Sequence, residues 1–182
     1  MVTSRGAAVS RVAERAATLE LRRPRLPEVQ VRLGAMLWLL RHAEAVDGIP
    51  DDDRELTERG IRQATDAGRA LRAIGASIQT CLSSPKVRAR QTAELACQAL
   101  GIDVETDRRL SGEPVDVESL IAGRGDVLLV GHDPSFTLLV HDLTGAQARM
   151  KKGGVAAIAK GELITLLRPT ELSAIASGVE ER

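Results

Sequence analysis

Aromatic side chains are nearly missing from this chain of 182 residues, which has one tryptophan (Trp38), one phenylalanine (Phe136) and no tyrosine. Stacking platforms for single-stranded nucleic acid are built from such rings, so their scarcity argues against that function. It also means that the core has to be assembled from Ala, Leu, Val and Ile. Cysteine is scarce too. Cys81 and Cys97 form no C-x-x-C pair and have no histidine nearby in sequence, which reads as two reduced thiols of a cytoplasmic protein. An arginine follows Cys81 in CLSSPKVR, but six residues intervene, and a cysteine phosphatase loop needs five. No apolar run approaches the roughly 20 residues of a membrane span. The first 35 residues contain no continuous apolar segment of the kind a secretory signal requires. The motifs G-x-x-x-x-G-K-[ST], G-x-S-x-G and H-E-x-x-H are absent.

Net charge is zero, but it is unevenly spread. Residues 1–35 hold seven arginines against three glutamates, leaving an acidic excess of the same size for the rest of the chain. A mildly acidic body has no general affinity for nucleic acid. The basic stretch carries a helical pattern over about 9–21 and is broken by Pro24 and Pro27. It is expected to be a weakly ordered extension, or the product of an upstream start with Met36 as the functional beginning. Residues 36–182 are expected to form one domain.

From Met36 onward, strand and helix patterns alternate. MLWLL reads as a strand ending at Arg41-His42, and DGIPDDD as a polar, solvated loop containing Asp51, Asp52 and Asp53. LTERGIRQATDAGRALRAIG reads as a helix with Thr57 as N-cap, Gly75 at its end and a buried face of Ile61, Ala64, Ala67, Gly68 and Leu71. SIQTCLSS is a second strand. PKVRARQTAELACQALG is a helix with Pro85 in its first turn, Ser83 and Ser84 as capping candidates and Gly101 at its end. IDVETDRRL holds a short strand and EPVDVESLIAG a short helix. GDVLLVGH is a strand apolar enough to be covered on both faces. PSFTLLVHDLTG is a helix, and GVAAIAKGELITLLR is two strands around a Lys-Gly turn. This alternation predicts an α/β fold, a three-layer α/β/α sandwich around a mostly parallel sheet.

Three motifs fall at the carboxyl ends of strands, where open α/β sheets bind ligands. LLRHAEA, LSSPKVRARQT and LLVGHDP together supply Arg41, His42, Arg88 or Arg90, His132 and Asp133. His42 could be a helix cap, a metal ligand or a nucleophile. Two imidazoles among guanidiniums are a poor metal site. The same set suits a dianionic phosphate, because arginine offers a planar fork to two phosphate oxygens. A histidine kept neutral by nearby arginines can attack phosphorus.

RHAEA, LTERG, SSPKVRARQTA and VGHDP, in that order, resemble the histidine phosphatase (phosphoglycerate mutase-like) superfamily. Without a large insertion, the chain looks like its SixA-type phosphohistidine phosphatases. The resemblance covers about residues 36–168. It implies a phosphoglycerate mutase-like fold, His42 as nucleophile, Arg41 and Arg88 as phosphate ligands and His132 as the second imidazole at the phosphate. Arg90 lies about 200° around a helix from Arg88 and cannot share its pocket. His141 and the pair Lys151-Lys152 match no motif; they read as structural and solvated, respectively. The resemblance leaves the general acid open among Asp133, Glu113 and Glu44. A phosphohistidine substrate is consistent with a weakly defined acid, because the leaving ring can carry its own proton.

The function expected is metal-independent phosphoryl hydrolysis through a phosphohistidine at His42, with no cofactor. Its partner is a phosphorylated protein, as in the SixA-type enzymes, or a small phosphorylated metabolite, with no nucleic acid and no membrane involved. A non-catalytic phospho-binding protein is the remaining alternative.

Overall fold

A computed structural model of the chain describes residues 35–112 and 114–180, with side chains up to residue 178. The helix expected over 9–21 lies outside these residues, as does Glu113. The described elements in chain order are β1 (Leu37–Arg41), a 3₁₀ turn (Asp51–Asp53), α1 (Glu58–Ala73), β2 (Thr80–Ser83), α2 (Val87–Leu100) and β3 (Val104–Thr106). A second 3₁₀ turn (Arg108–Leu110) follows, then α3 (Val117–Ile121), β4 (Val127–Gly131), α4 (Ser135–Thr144), β5 (Val155–Ala159), β6 (Glu162–Leu167) and α5 (Pro169–Glu180).

The described strands form one six-stranded sheet in the order β3-β2-β4-β1-β5-β6. The pairs β2–β3, β2–β4 and β1–β4 are parallel, while β5 runs antiparallel to both β1 and β6. The sheet is covered on both faces. Trp38 and Leu40 of β1, with Leu128 and Val130 of β4, join a core built with α1, α2 and α5. Leu37, Leu39, Val127 and Leu129 point the other way, into a core with α3 and α4. Alternate residues therefore enter different cores, which requires both kinds of position to be apolar. This is the expected three-layer sandwich.

Thr57 caps α1 by accepting from the Gly60 amide. The inward face of α1 is Gly60, Ala64, Ala67, Gly68, Ala70 and Leu71. Ile61, expected on that face, is 46% exposed. The stripe is rotated because the helix start lies against the backbone of Glu44, where a Cβ at residue 60 would come within 1.9 Å of a carbonyl oxygen. The α2 helix presents Ala89, Ala93 and Ala96 inward and ends at Gly101, whose φ of 71° suits glycine. Its N-cap is Lys86, with no side-chain cap, so Ser83 and Ser84 do not serve as caps. The β5–β6 hairpin turns through Lys160 and Gly161, both at positive φ. The α5 helix, which no sequence signal above anticipates, buries Leu172 and Ala176.

Cys81 and Cys97 are free and buried. The hydrogen bond to Cys97, with burial, pushes the Cys81 thiol far above its usual range, so Cys81 reads as an inert core atom. No helix among the described residues is long and apolar enough to cross a membrane.

The small residues set how closely α1 and α2 approach. A Cβ on Gly68 would lie 2.2 Å from the Ala96 carbonyl oxygen and 2.6 Å from its Cα. Backbone offers no rotamer escape, so Gly68→Ala is expected to cost about 1–3 kcal/mol or more. Urea denaturation should show this as a lower midpoint with an unchanged slope.

Candidate active site

Strands β1, β2 and β4 end at one edge of the sheet. Arg41 pairs with Gly131, and the His42 amide donates to the Gly131 carbonyl at 2.8 Å, one step beyond the strands. This register brings the residues that follow, His42 and His132, together. Their ring centroids lie 5.1 Å apart with planes at 53°, and both residues are buried.

The His42 Nδ1 lies 2.8 Å from the Ala43 carbonyl oxygen. A carbonyl only accepts, so Nδ1 carries the proton and Nε2 the lone pair. Arg88 Nε donates to that Nε2 at 3.3 Å. Burial, followed by Arg88, Arg41 and Lys152, pushes the His42 imidazole down to about 4 against the opposing pull of the Ala43 carbonyl. The ring is therefore neutral, with a free electron pair, at neutral pH.

His132 Nε2 lies 2.9 Å from Ser84 Oγ. That oxygen already accepts from the Lys86 amide. Where the Ser84 hydroxyl donates to Nε2, His132 holds its own proton on Nδ1; that nitrogen is buried and has no partner among the described residues. Burial, then the neighbouring His42, Arg88 and Lys86, pushes His132 down to about 3. Ser84 thus belongs to the site. It sits at the same sheet edge as the histidines, and that position was the signal available in the sequence.

Arg41 and Arg88 flank the imidazoles. Arg41 Nη1 donates to the Met150 carbonyl at 2.7 Å and pairs with Asp133 Oδ2 at 3.4 Å. Its Nε is buried without a partner among the described residues. Burial lowers the Arg41 pKa, although the guanidinium remains charged. Thr137 Oγ1 donates to Asp133 Oδ1 at 2.5 Å. Arg88 is buried on the inner face of α2, whereas Arg90 lies on the outer face, 48% exposed and paired with Glu94. Two unpartnered buried nitrogens beside two guanidiniums form an unfinished donor set, which suits an anion.

The remaining expected residues divide. Glu44 turns to the start of α1, where it accepts from Thr57 and pairs with Arg59, away from the imidazoles. His141 is exposed on α4. Lys152, read as solvated, acts on His42 electrostatically, and the adjacent Gly153 amide donates to the carbonyls of Arg41 and His42. Asp51 departs from the expected solvated loop. Its carbonyl and carboxylate both bind Arg88. No local pattern signals this, because residues 51 and 88 are joined only by the fold.

Residues 37–112 match the family model of the histidine phosphatase superfamily (branch 1). An uncharacterized protein of Mycobacterium tuberculosis is 40% identical over 107 residues, which cover 55% of this chain and 66%, just under two thirds, of that protein. A crystal structure provisionally named phosphohistidine phosphatase SixA, from Agrobacterium tumefaciens, superposes with a TM-score of 0.69 at 25% identity over 76% of this chain and all of that one. Another with the same provisional name, from Nakamurella multipartitia, gives 0.55 at 30% identity over 78% of this chain and 89% of that one.

The two imidazoles make stability pH-dependent. In the folded chain they take up protons only near 4 and 3, whereas unfolded histidine does so near 6.5. Between these values the unfolded chain binds more protons, so stability falls as pH drops from about 6.5 toward 4. Urea midpoints across this range should fall steadily, and His42→Ala should flatten the slope. NMR should show both rings neutral down to about pH 5.

Proposed function

Because the chain belongs to the histidine phosphatase superfamily, we propose that it is a metal-independent phosphatase that acts through a phosphohistidine at His42, with a phosphohistidine on a protein as its substrate. One observation carries this reading: the Nε2 lone pair of a neutral, oriented His42 lies among Arg41, Arg88 and His132. Relatives at 25–30% identity named for phosphohistidine hydrolysis support the choice of substrate. So do two short connections at this sheet edge, where β2 passes to α2 and β4 to α4 within three residues, while residues 42–57 join β1 to α1. Such a mouth suits a phosphoryl group carried on a protein surface.

In the first step His42 Nε2 attacks phosphorus in line, and the bond to the leaving nitrogen or oxygen breaks. Arg88 Nε turns its proton from Nε2 to a phosphoryl oxygen, while Arg41 and His132 Nδ1–H take others. The Nδ1–H bond to Ala43 keeps the ring in line and spreads the positive charge of the phosphorylated imidazole. In the second step water attacks phosphorus, orthophosphate leaves and the electron pair returns to Nε2. An ester's departing alkoxide needs a proton, for which Asp133 and Glu113 are the candidates. A departing imidazole protonated on its ring needs none. The same reading takes residues 36–182 as the catalytic domain and 1–35 as an extension. It also assigns the enzyme to the cytoplasm, where Cys81 and Cys97 stay reduced.

Wild type and His42→Ala should be assayed with chelator on a phosphohistidine protein and on p-nitrophenyl phosphate, with acid-labile phosphoenzyme trapped in parallel. Wild type should turn over both, and His42→Ala should lose turnover and label. Turnover of the ester alone would favour a small metabolite as substrate. Binding of phosphate without turnover would favour a phospho-binding role. Removing the acid, by Asp133→Asn or Glu113→Gln, should lower ester hydrolysis by about 10²-fold or more and phosphohistidine hydrolysis only a few-fold.

A further inference from the structure

Asp51 has no role in the steps above, yet it is bound to their central arginine. Three of the five Arg88 N–H groups are engaged. Nη1 donates to the Asp51 carbonyl at 2.6 Å, Nη2 to Asp51 Oδ2 at 3.0 Å and Nε to His42 Nε2 at 3.3 Å. In a guanidinium, Nε and Nη2 form the side-on edge, the fork that takes two oxygens of one phosphate. Here Nε points at His42, and Asp51 holds both Nη1 and Nη2, so its carboxylate oxygen shares Nη2 with the fork.

We propose that Asp51 is an internal mimic of the substrate's phosphate: its carboxylate occupies the Nη2 arm of Arg88 in the free protein and yields it to an incoming phosphoryl group. This rests on the phosphatase reading for its catalytic meaning, but the competition itself requires only that phosphate bind at Arg88. A phosphoryl group approaching His42 Nε2 meets Arg88 on this edge, and two anions at Nη2 repel each other, so the carboxylate is pressed to let go. Arg88 is buried, whereas the Asp51 side chain is 53% exposed, so the carboxylate is the partner free to move. It has somewhere to go. Asp51 Oδ1 already pairs with Arg54 at 2.9 Å, and Oδ2 also meets Lys86 Nζ at 3.2 Å. These cations, with Arg88, are the charged groups that face it; Arg54 first, then Arg88 and Lys86, hold its carboxyl well below the usual carboxylate range. Displacement from Arg88 leaves an ionised carboxylate with two partners, and the step is easily reversed. After hydrolysis the returning carboxylate competes with orthophosphate for the fork and speeds product release. Asp51 touches neither the phosphorus nor the leaving group, so it acts through Arg88.

Asp51→Asn tests this, because the amide oxygen can still accept from Nη2 but the charge is gone. Calorimetry with orthophosphate on the full chain should show binding about tenfold tighter than wild type. Product inhibition by orthophosphate should strengthen by the same factor, and KM for p-nitrophenyl phosphate should fall with it. Unchanged or weaker orthophosphate binding would overturn the proposal, and the weaker result would mean that Asp51 only holds Arg88 in position. If the protein hydrolyses nothing but the variant binds orthophosphate more tightly, the catalytic reading fails and the competition stands. If neither protein binds orthophosphate, both fail.

Discussion

The parallel pairing of β1 with β4 fixes the two imidazoles at the centre of the site. The two strands run in register from Leu37 opposite Val127 to Arg41 opposite Gly131, and the His42 amide extends the ladder by one bond. Both are buried on both faces, so a slip by one residue would exchange every side chain between two differently shaped cores. The register is thus locked by nine apolar or small positions, and the histidines inherit their separation from it. Gly131 is part of the lock. A Cβ there would meet the Phe136 ring at 2.7 Å, so the last residue of β4 has to be glycine for α4 to cover the strand end and for His132 to stand beside His42.

Given that geometry, the electrostatics follow. Two imidazoles and two guanidiniums in one partly buried pocket repel one another if all are charged. The arginines cannot give up their protons under ordinary conditions, so the histidines do. Burial is the larger cause for both rings, and the cations add to it. The result is a neutral His42 imidazole among cations. Each guanidinium meanwhile keeps one internal carboxylate, Asp133 on Arg41 and Asp51 on Arg88. The cations are therefore balanced before any ligand arrives, without filling every buried donor.

Much of this was legible in the sequence because it is carried by local pattern. Apolar runs of strand length, Thr57 and Gly101 at helix ends, and Lys-Gly between β5 and β6 are signals that neighbouring residues generate by themselves. Arg41, His42 and His132, with Arg88 or Arg90, are legible as a group because strand ends converge in this class of sheet, and the family resemblance is what points to Arg88. The shift from Ile61 to Gly60 on the buried face of α1 was not legible, because it arises from the approach of the Glu44 backbone, 16 residues away. Ser84 was read as a cap because a serine before a helix usually is one, and the tertiary contact with His132 overrides that preference. The α5 helix has only a thin buried stripe of Leu172, Ile175 and Ala176, too weak a period to stand out in a short alanine- and serine-rich segment.

The shortage of aromatics, which first looked like a limit on function, bears on how rigidly the site is held. With alanine and glycine lining the contact between α1 and α2, the helix backbones sit close, and polar groups can bridge from helix to strand end. Thr92 Oγ1 donates to the Arg88 carbonyl at 2.6 Å and accepts from the Ala43 amide at 3.0 Å. That single hydroxyl ties the turn of α2 carrying Arg88 to the segment carrying His42, whose ring in turn bonds the Ala43 carbonyl. The His42 ring and the Arg88 guanidinium are thus referenced to each other through one buried side chain rather than through long, adjustable ones. Phosphoryl transfer depends on placement more than on covalent chemistry. A core of small residues, packed backbone to backbone, is a direct way to supply that placement in a short chain.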